Sequence, residues 1–394
     1  MFALFFYGKI SFMKDFCLKI INSRDICSEL ESIGFDQSYL EKAANKYRYL
    51  NIKIYNLSLP QTNILKQTAL SVGADCAVNK GVLTANVEFS DCILGGSFAQ
   101  IMQIVNKLKC QQFSMSALAE EISKLLKCCN TESKIVGVLN LTKNSFSDGG
   151  FYYDYDSAIC RLNEMIAEGA DVIELGAEST KPYSTPVDDE KQLEKLEPVL
   201  KYICERNIKI PVSVDTRLGK VAKRVLDYGV SVINDVSGFD YDEKLAEVVS
   251  KAGVKVVIQH SQGMPENMQD NPTYTCVVDD IYKNLYEKVK QAKNKGIKQE
   301  NIILDVGIGF GKTKEQNFEL IKRIDEFKSL GCKLMLGISR KSFLGLNEAS
   351  NDEKDIYTVA LNTLAIEHKV DYLRVHNVKM HRKLIDIMKN FKEI

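Results

Sequence analysis

From Lys134 onward, short runs of branched apolar residues alternate with longer segments that place apolar residues every three or four positions. The first run, Ile135-Val136-Gly137-Val138-Leu139-Asn140, has no polar side chain before its last position. That is how a strand buried on both faces of a parallel sheet reads. The chain then turns to hydroxyls, an amide, a carboxylate and two glycines through Gly150, a segment that forms no core and offers oxygen ligands on a flexible loop. Seven further runs predict strands at 171–175, 212–215, 231–235, 255–260, 302–306, 333–338 and 371–376. Between them, Leu193, Leu196, Val199, Leu200 and Ile203 make one helical face. Thr313 and Gln316 form a capping box that opens a helix closed by Gly331, and Met380, Leu384, Met388 and Phe391 form the stripe of the last helix. About eight strand–helix units in roughly 260 residues is the length of a (β/α)8 TIM barrel. An open doubly wound sheet shares the alternation, but the repeat number and total length favour closure.

Residues 1–130 read as a separate small α/β domain preceding the barrel of 131–394, with the boundary at Cys128-Cys129-Asn130-Thr131-Glu132-Ser133. In it, 17–21 and 52–55 alternate like half-exposed strands, and 82–87 and 91–95 are further strand candidates. Helices are expected at 64–69, 101–108 and 114–126, the last with its apolar face at Leu118, Ile122, Leu125 and Leu126. Asn22-Ser23 and Asp36-Gln37 sit where N-caps belong. No catalytic constellation stands out there, which favours a packing or dimer-forming appendage. The opening Met1–Tyr7 stretch is apolar but short and has no basic residue ahead of it, so it fits neither a signal peptide nor a membrane span. It reads as a buried first strand or as an overextended start ahead of Met13.

Charge narrows the classes. Lys+Arg and Asp+Glu both number 52, which argues against a general nucleic-acid or membrane-surface binder and leaves room for a local basic pocket. Eleven cysteines are scattered without CxxC pairs or zinc-type spacing, and read as reduced core residues of a cytoplasmic protein.

The candidate chemistry sits where the strands end: Asn140, Glu178-Ser179-Thr180, Asp215, Asn234-Asp235, His260, Asp305, Ser339-Arg340-Lys341 and Arg374-Val375-His376. In barrel register these groups converge on one rim, where this architecture keeps its chemistry. One polar strand end is ordinarily a cap; eight on one face are too many polar groups at a core edge to be structure alone.

Four segments carry a resemblance. Gly137-Val138-Leu139-Asn140 with Ser145-Phe146-Ser147-Asp148-Gly149-Gly150, Glu178-Ser179-Thr180-Lys181-Pro182, Gly307-Ile308-Gly309-Phe310-Gly311-Lys312 and Ser339-Arg340-Lys341-Ser342, in that order and each at a strand end, resemble the dihydropteroate synthases. The resemblance spans about 134–391 and leaves the N-terminal unit outside. It implies a folate-biosynthesis reaction: 6-hydroxymethyl-7,8-dihydropterin diphosphate condenses with p-aminobenzoate, releasing diphosphate, with Mg2+ as cofactor and a homodimer as the assembly. It places Asp215, Asn234, Asp305 and Lys341 at the pterin, whose N–H donors need buried acceptors. Thr180, Arg374 and His376 fall on the diphosphate, and Asn140 on the metal. Ser145, Phe146, Asp148, Thr180, Lys181 and Pro182 belong to the two loops that close over the substrates, with Phe310 and Ser342 beside the aminobenzoate. Asp215, Lys341, Arg374 and His376 become the catalytic set.

The residue types suit these roles. Arg374 and His376 alternate on one strand and so share a face, as an anion clamp requires. Lys341 stands at an expected helix start, where the macrodipole disfavours a cation, while the backbone N–H groups at Ser342 favour a carboxylate. Asp305 has a bland alternative as the N-cap of the next turn, and Phe310 as simple core. The sequence departs from the family pattern at Lys181 (commonly Arg), Tyr183 (commonly Gly), Gln259 (commonly apolar), Val306 (commonly Pro) and Asn377 (commonly Asp). None of these removes a pterin or diphosphate ligand; Lys181 and Tyr183 bear on aminobenzoate and sulfonamide affinity. The rival readings are a pterin-dependent methyltransferase barrel, which needs no diphosphate clamp, and a non-catalytic pterin-binding protein.

Overall fold

The computed structural model describes residues 19, 26–126, 132–142, 155–178, 186–263, 268, 272–346 and 348–392. The chain divides into two compact units, Met1–Lys127 and Cys128–Ile394.

The first unit is built on three antiparallel strands, Tyr49–Ser58 (β1), Asp75–Val78 (β2) and Phe89–Ser97 (β3), in the order β1-β3-β2. Helices Leu59–Leu70 and Phe98–Leu108 each leave directly from a strand end through the same device. Ser58 with Gln61 and Ser97 with Gln100 are capping boxes, so the orphan N–H groups of each first turn are satisfied where the strand stops. Both helices pack Leu65, Ile101, Ile104 and Leu108 onto the sheet around Cys76, Cys92 and Leu94. The strands expected at 52–55 and 91–95 lie inside β1 and β3, whereas 82–87 is not a strand. There Asn79 Oδ1 accepts from Gly81 N at 2.8 Å and starts a turn, and the strand falls earlier, at β2. Helix Met115–Leu125 buries Met115, Ala119 and Ile122, with Leu118 and Leu126 at the margin of the core rather than on its central stripe. Asp36 caps a short 3-10 turn as expected, while 17–18, 20–23 and 128–131 lie outside the described residues.

The second unit is a closed barrel of eight parallel strands: Lys134–Asn140 (β4), Val172–Gly176 (β5), Val212–Asp215 (β6), Val232–Asp235 (β7), Lys255–Gln259 (β8), Ile302–Asp305 (β9), Lys333–Leu336 (β10) and Tyr372–Val375 (β11). Each predicted barrel strand is present, 212–215 at its expected bounds and the others with ends shifted by one or two residues. β11 pairs with β4, which closes the ring. Alternation along each strand makes two cores. Outward residues such as Ile135, Ile173, Val214, Ile258, Leu304, Leu334 and Leu373 pack on the helices. Inward residues Val136, Val172, Val232, Val257, Ile303, Met335 and Tyr372 fill the barrel floor.

Three expectations are corrected. The helix opened by Thr313 runs only from Lys314 to Lys322; a 3-10 turn, Ile324–Leu330, continues it to Gly331, which takes the left-handed φ of +71°. The last helix, Val378–Lys392, buries Val378, His381, Leu384, Ile385 and Met388, while Phe391 is 69% exposed. A polar residue sits on the buried face because Asn362 Nδ2 and the Asn377 carbonyl oxygen partner the two ring nitrogens of His381. Of the described cysteines, Cys76, Cys92 and Cys332 are buried, but Cys27, Cys110, Cys160 and Cys204 are exposed. Among the described residues, no helix is long and apolar enough to cross a membrane.

Candidate active site

The site follows from the barrel floor by a step of two residues, because residues i and i+2 of a strand share a face. Above the apolar floor, the next inward positions are Glu174 on β5, Asn234 on β7, Gln259 on β8, Asp305 on β9 and Arg374 on β11. Asp215, paired in register with Asn234, adds the inward residue at the end of β6. Just past the end of β10 the corresponding position is Gly337, where a Cβ would lie 3.5 Å from Arg374 Cδ and 3.8 Å from Asp305 Oδ2. The floor therefore gives way in one layer to carboxylates, amides and a guanidinium. Asp215, Asn234, Asp305 and Arg374, far apart in sequence, meet here.

Charge within the layer is held by specific pairs. Arg374 donates from Nε to Glu174 Oε1 at 2.5 Å and from Nη2 to Asp215 Oδ2 at 3.2 Å. Burial alone would lower Arg374, but the carboxylates of Glu174 and Asp215 outweigh it and hold the guanidinium above its ordinary value. Burial, reinforced by Glu174, pushes the Asp215 carboxyl up to about 8 against the pull of Arg374. Burial also raises Asp305. Glu174, wholly buried, is the residue that sequence reasoning missed. The signal was available: a lone carboxylate inside the apolar run Val172-Ile173-Glu174-Leu175 needs a buried partner. Besides Arg374, it accepts from Asn234 Nδ2 at 3.1 Å. That bond fixes the Asn234 amide, whose Oδ1 is buried with no partner among the described residues.

The loop after β9 forms one wall. Asp305 Oδ1 accepts from Gly307 N at 2.7 Å, so this carboxylate also caps its own turn. Gly307 is required twice over: its φ is +68°, and a Cβ there would lie 1.8 Å from the His260 carbonyl oxygen. Lys312 Nζ donates to the carbonyls of Gly307 and Phe310 at 2.8 Å each and lies 3.1 Å from His260 Nδ1. Burial holds both His260 and Lys312 well below their ordinary values. Lys341 reaches across the same loop: Nζ donates to the Ile308 carbonyl at 2.5 Å and stands 4.6 Å from the centre of the Phe310 ring. Burial lowers its ammonium to about 8, with Asp305 opposing. Phe310 is buried yet outside the barrel's hydrophobic cluster, which sets it apart from simple core. The helix start expected at Ser342 is instead a three-residue 3-10 turn, Ser342–Leu344, and the α-helix begins only at Asn351. The dipole argument for Lys341 and Ser342 therefore lapses.

At the rim, Asn140 ends β4 beside Gly176, where a Cβ would come within 3.1 Å of Asn140 Oδ1. His376 Nδ1 lies 2.9 Å from Ser339 Oγ, which also accepts from the His376 backbone N–H at 3.2 Å. With the hydroxyl donating to Nδ1, a neutral ring carries its proton on Nε2. Glu178 accepts from Arg217 at 2.9 Å and from Val187 N and Gln192 at 3.2 Å each, so it ties together the two ends of segment 179–185. Ser145, Phe146, Asp148, Thr180, Lys181 and Pro182 lie outside the described residues. Among the described residues, no cluster of three or more His, Cys, Asp or Glu is placed to hold a metal ion.

A closed parallel barrel whose mouth holds carboxylates, amides and a guanidinium, with a lysine and a histidine above, keeps its polar groups where enzymes of this architecture keep their chemistry. Comparison with known proteins narrows the class. The family described as pterin binding enzyme matches residues 136–376. A dihydropteroate synthase of Clostridium beijerinckii is 42% identical over 248 residues, covering 62% of this chain and 88% of that one. The bifunctional dihydropteroate synthase/dihydropteroate reductase of Helicobacter pylori is 31% identical over 380 residues, covering 95% of this chain and 99% of that one. The chain spans 40% of the probable bifunctional folylpolyglutamate synthase/dihydropteroate synthase of Haloferax volcanii, at 33% identity. The solved Yersinia pestis dihydropteroate synthase, in complex with a sulfonamide drug, superposes with a TM-score of 0.64 at 30% identity, covering 67% of this chain and 95% of that one. The chain belongs to the pterin-binding enzymes, within the dihydropteroate synthase family.

Proposed function

We propose that the barrel condenses 6-hydroxymethyl-7,8-dihydropterin diphosphate with p-aminobenzoate, giving 7,8-dihydropteroate and diphosphate. The observation that carries this reading is the meeting of Asp215, Asn234, Asp305, Lys341 and Arg374 at one barrel mouth. Asp305 and the unpartnered Asn234 Oδ1 are acceptors for the amino and ring N–H groups of the pterin. Arg374 spends two donors on Glu174 and Asp215 and turns the remainder, with His376, to the diphosphate. In the reaction the bond from the pterin methylene to the diphosphate oxygen breaks and the diphosphate carries off the electron pair. The arylamine nitrogen then bonds to the methylene and loses a proton. Burial raises Asp215 to about 8 and lowers Lys341 to about 8, so both are poised to exchange the released proton, and Asp215, once deprotonated, faces the positive charge that develops on the pterin. Asn140 offers a hard amide oxygen that fits Mg2+ held mainly by substrate oxygens and water; the ion would neutralise the leaving diphosphate. The enzyme is read as a cytoplasmic homodimer that takes small-molecule substrates and neither nucleic acid nor membrane. Diphosphate release and dihydropteroate formation, assayed on the full chain with Mg2+, test the proposal. Methyl transfer from a methylated folate, or pterin binding without product, would replace it.

The Helicobacter pylori alignment favours a second activity, because it crosses both units whereas the Clostridium beijerinckii one covers 62% of the chain. We infer that the N-terminal unit takes part in reducing dihydropteroate, two electrons and two protons being supplied by a reduced nicotinamide and water. Incubating the full chain with dihydropteroate and NADPH or NADH tests this: tetrahydropteroate is expected, and unchanged dihydropteroate with both donors would remove the second activity.

A further inference from the structure

We propose that Gln259 determines ligand specificity at the barrel mouth, its side-chain amide reading a hydrogen-bond acceptor on the flat heterocycle held by Asn234 and Asp305. The proposal rests on the pterin reading above. Gln259 stands two residues beyond Val257 of the barrel floor and so faces inward. It lies in register with Asp305 on one side, and Val257 pairs with Asn234 on the other. Only 4% of the residue is exposed, and its Nε2 is buried with no hydrogen-bond partner among the described residues. A buried amide donor without a partner is unfavourable, and a methionine of similar volume would remove that cost. The donor is placed to meet an acceptor carried by a bound ligand.

The neighbouring strand says what that is. Asn234 has the complementary vacancy, an unpartnered Oδ1, because its Nδ2 is committed to Glu174. Asp305 has one oxygen on Gly307 N, and the other lies 3.8 Å from where a Cβ would stand at Gly337. Adjacent strands β7, β8 and β9, about 4.8 Å apart, thus present an acceptor, a donor and an acceptor. A pterin edge matches this order. Its amino and ring N–H groups meet Asn234 and Asp305, and its carbonyl or an unprotonated ring nitrogen meets Gln259. An apolar side chain at 259 would leave that ligand acceptor dry and unpaired.

The test uses the three hydrogen-bond characters a side chain of this size can have. Glutamine offers a donor or, after rotation of the amide, an acceptor; glutamate only an acceptor; methionine neither. Dissociation constants of 6-hydroxymethylpterin and its 4-amino counterpart are measured by calorimetry on the full chain, for the native protein, Gln259→Met and Gln259→Glu. Gln259→Met is expected to bind both ligands about tenfold more weakly while melting no lower than the native protein. Gln259→Glu is expected to shift the preference from the 4-oxo to the 4-amino ligand by about tenfold or more. Native-like affinities in Gln259→Met together with a native-like preference in Gln259→Glu would overturn the proposal and leave the pterin reading intact. If the native protein binds neither pterin, the pterin reading itself falls, and this inference with it.

Discussion

At the scale of single residues, burial shifts several titrating groups of the barrel mouth away from their ordinary values. Asp215 is the clearest. Its ordinary value is 3.8, and burial with Glu174 beside it raises it to about 8. Between those values the folded chain binds more protons at this site than the unfolded chain does. Stability therefore falls as pH rises through the window and levels off above about 8. Asp215→Asn removes that slope, so its melting temperature, followed from about pH 5 to pH 8, should fall less than that of the native protein while condensation is lost. An equally steep fall in the variant would show that Asp215 is not the group responsible. Lys341 works in the opposite sense, with burial taking its ammonium down to about 8. Lys341→Ala deletes a charge that is costly to hold, so the fold should survive while turnover drops by about 100-fold or more. Steady-state rates beside a melting curve check both halves of that expectation.

At the scale of elements, each strand supplies one layer of floor and one layer of chemistry, and the connecting segments hold the loops by their bases. Glu178 illustrates the second point. It joins Val187 N to the end of β5 and neutralises Arg217, whose side chain is 5% exposed. Tyr241 covers the same guanidinium, its ring centre 4.0 Å away. Removing Glu178 leaves a buried cation without a counter-charge, at a cost of about 3–5 kcal/mol. Glu178→Ala should therefore melt well below the native protein and exchange the Val187 amide faster. A native-like melting temperature would mean that Arg217 has found another partner. Gly307 marks the other loop base, where the His260 carbonyl leaves no room for any side chain. The strand ends themselves are brought together by pairing, Gln259 lying in register with Asp305 and His260 N donating to the Asp305 carbonyl at 2.9 Å.

At the scale of the whole molecule, the two compact units invite separate assay. A chain beginning at Asn130 keeps every barrel strand and every described residue of the mouth. Each core is made from residues of its own unit, so the shortened chain should fold and retain the condensation. It should also lose the reduction inferred for the N-terminal unit. Product analysis by mass, run on full and shortened chains side by side, checks both. Loss of condensation in a shortened chain that remains folded would show that the first unit contributes to the barrel's chemistry.

The sequence by itself determined the barrel, because buried parallel strands must be apolar throughout and eight such runs at regular spacing admit few other arrangements. It also marked which strand ends are polar, since Asn140, Asp215, Asp305 and Arg374 each break an apolar run. Local signals failed where a distant partner decided the outcome. His381 sits on the buried face of the last helix because Asn362 waits for it, and a stripe of apolar letters cannot show that. The turn at Asn79, by contrast, was a local signal, its side chain bonding Gly81 N two residues on. Only the tertiary structure brought Glu174 between Asn234 and Arg374, 60 and 200 residues away along the chain. Only there does the unpartnered amide of Gln259 become visible. Hydrogen-bond satisfaction is a property of atoms that meet in space, and closing the barrel is what makes them meet.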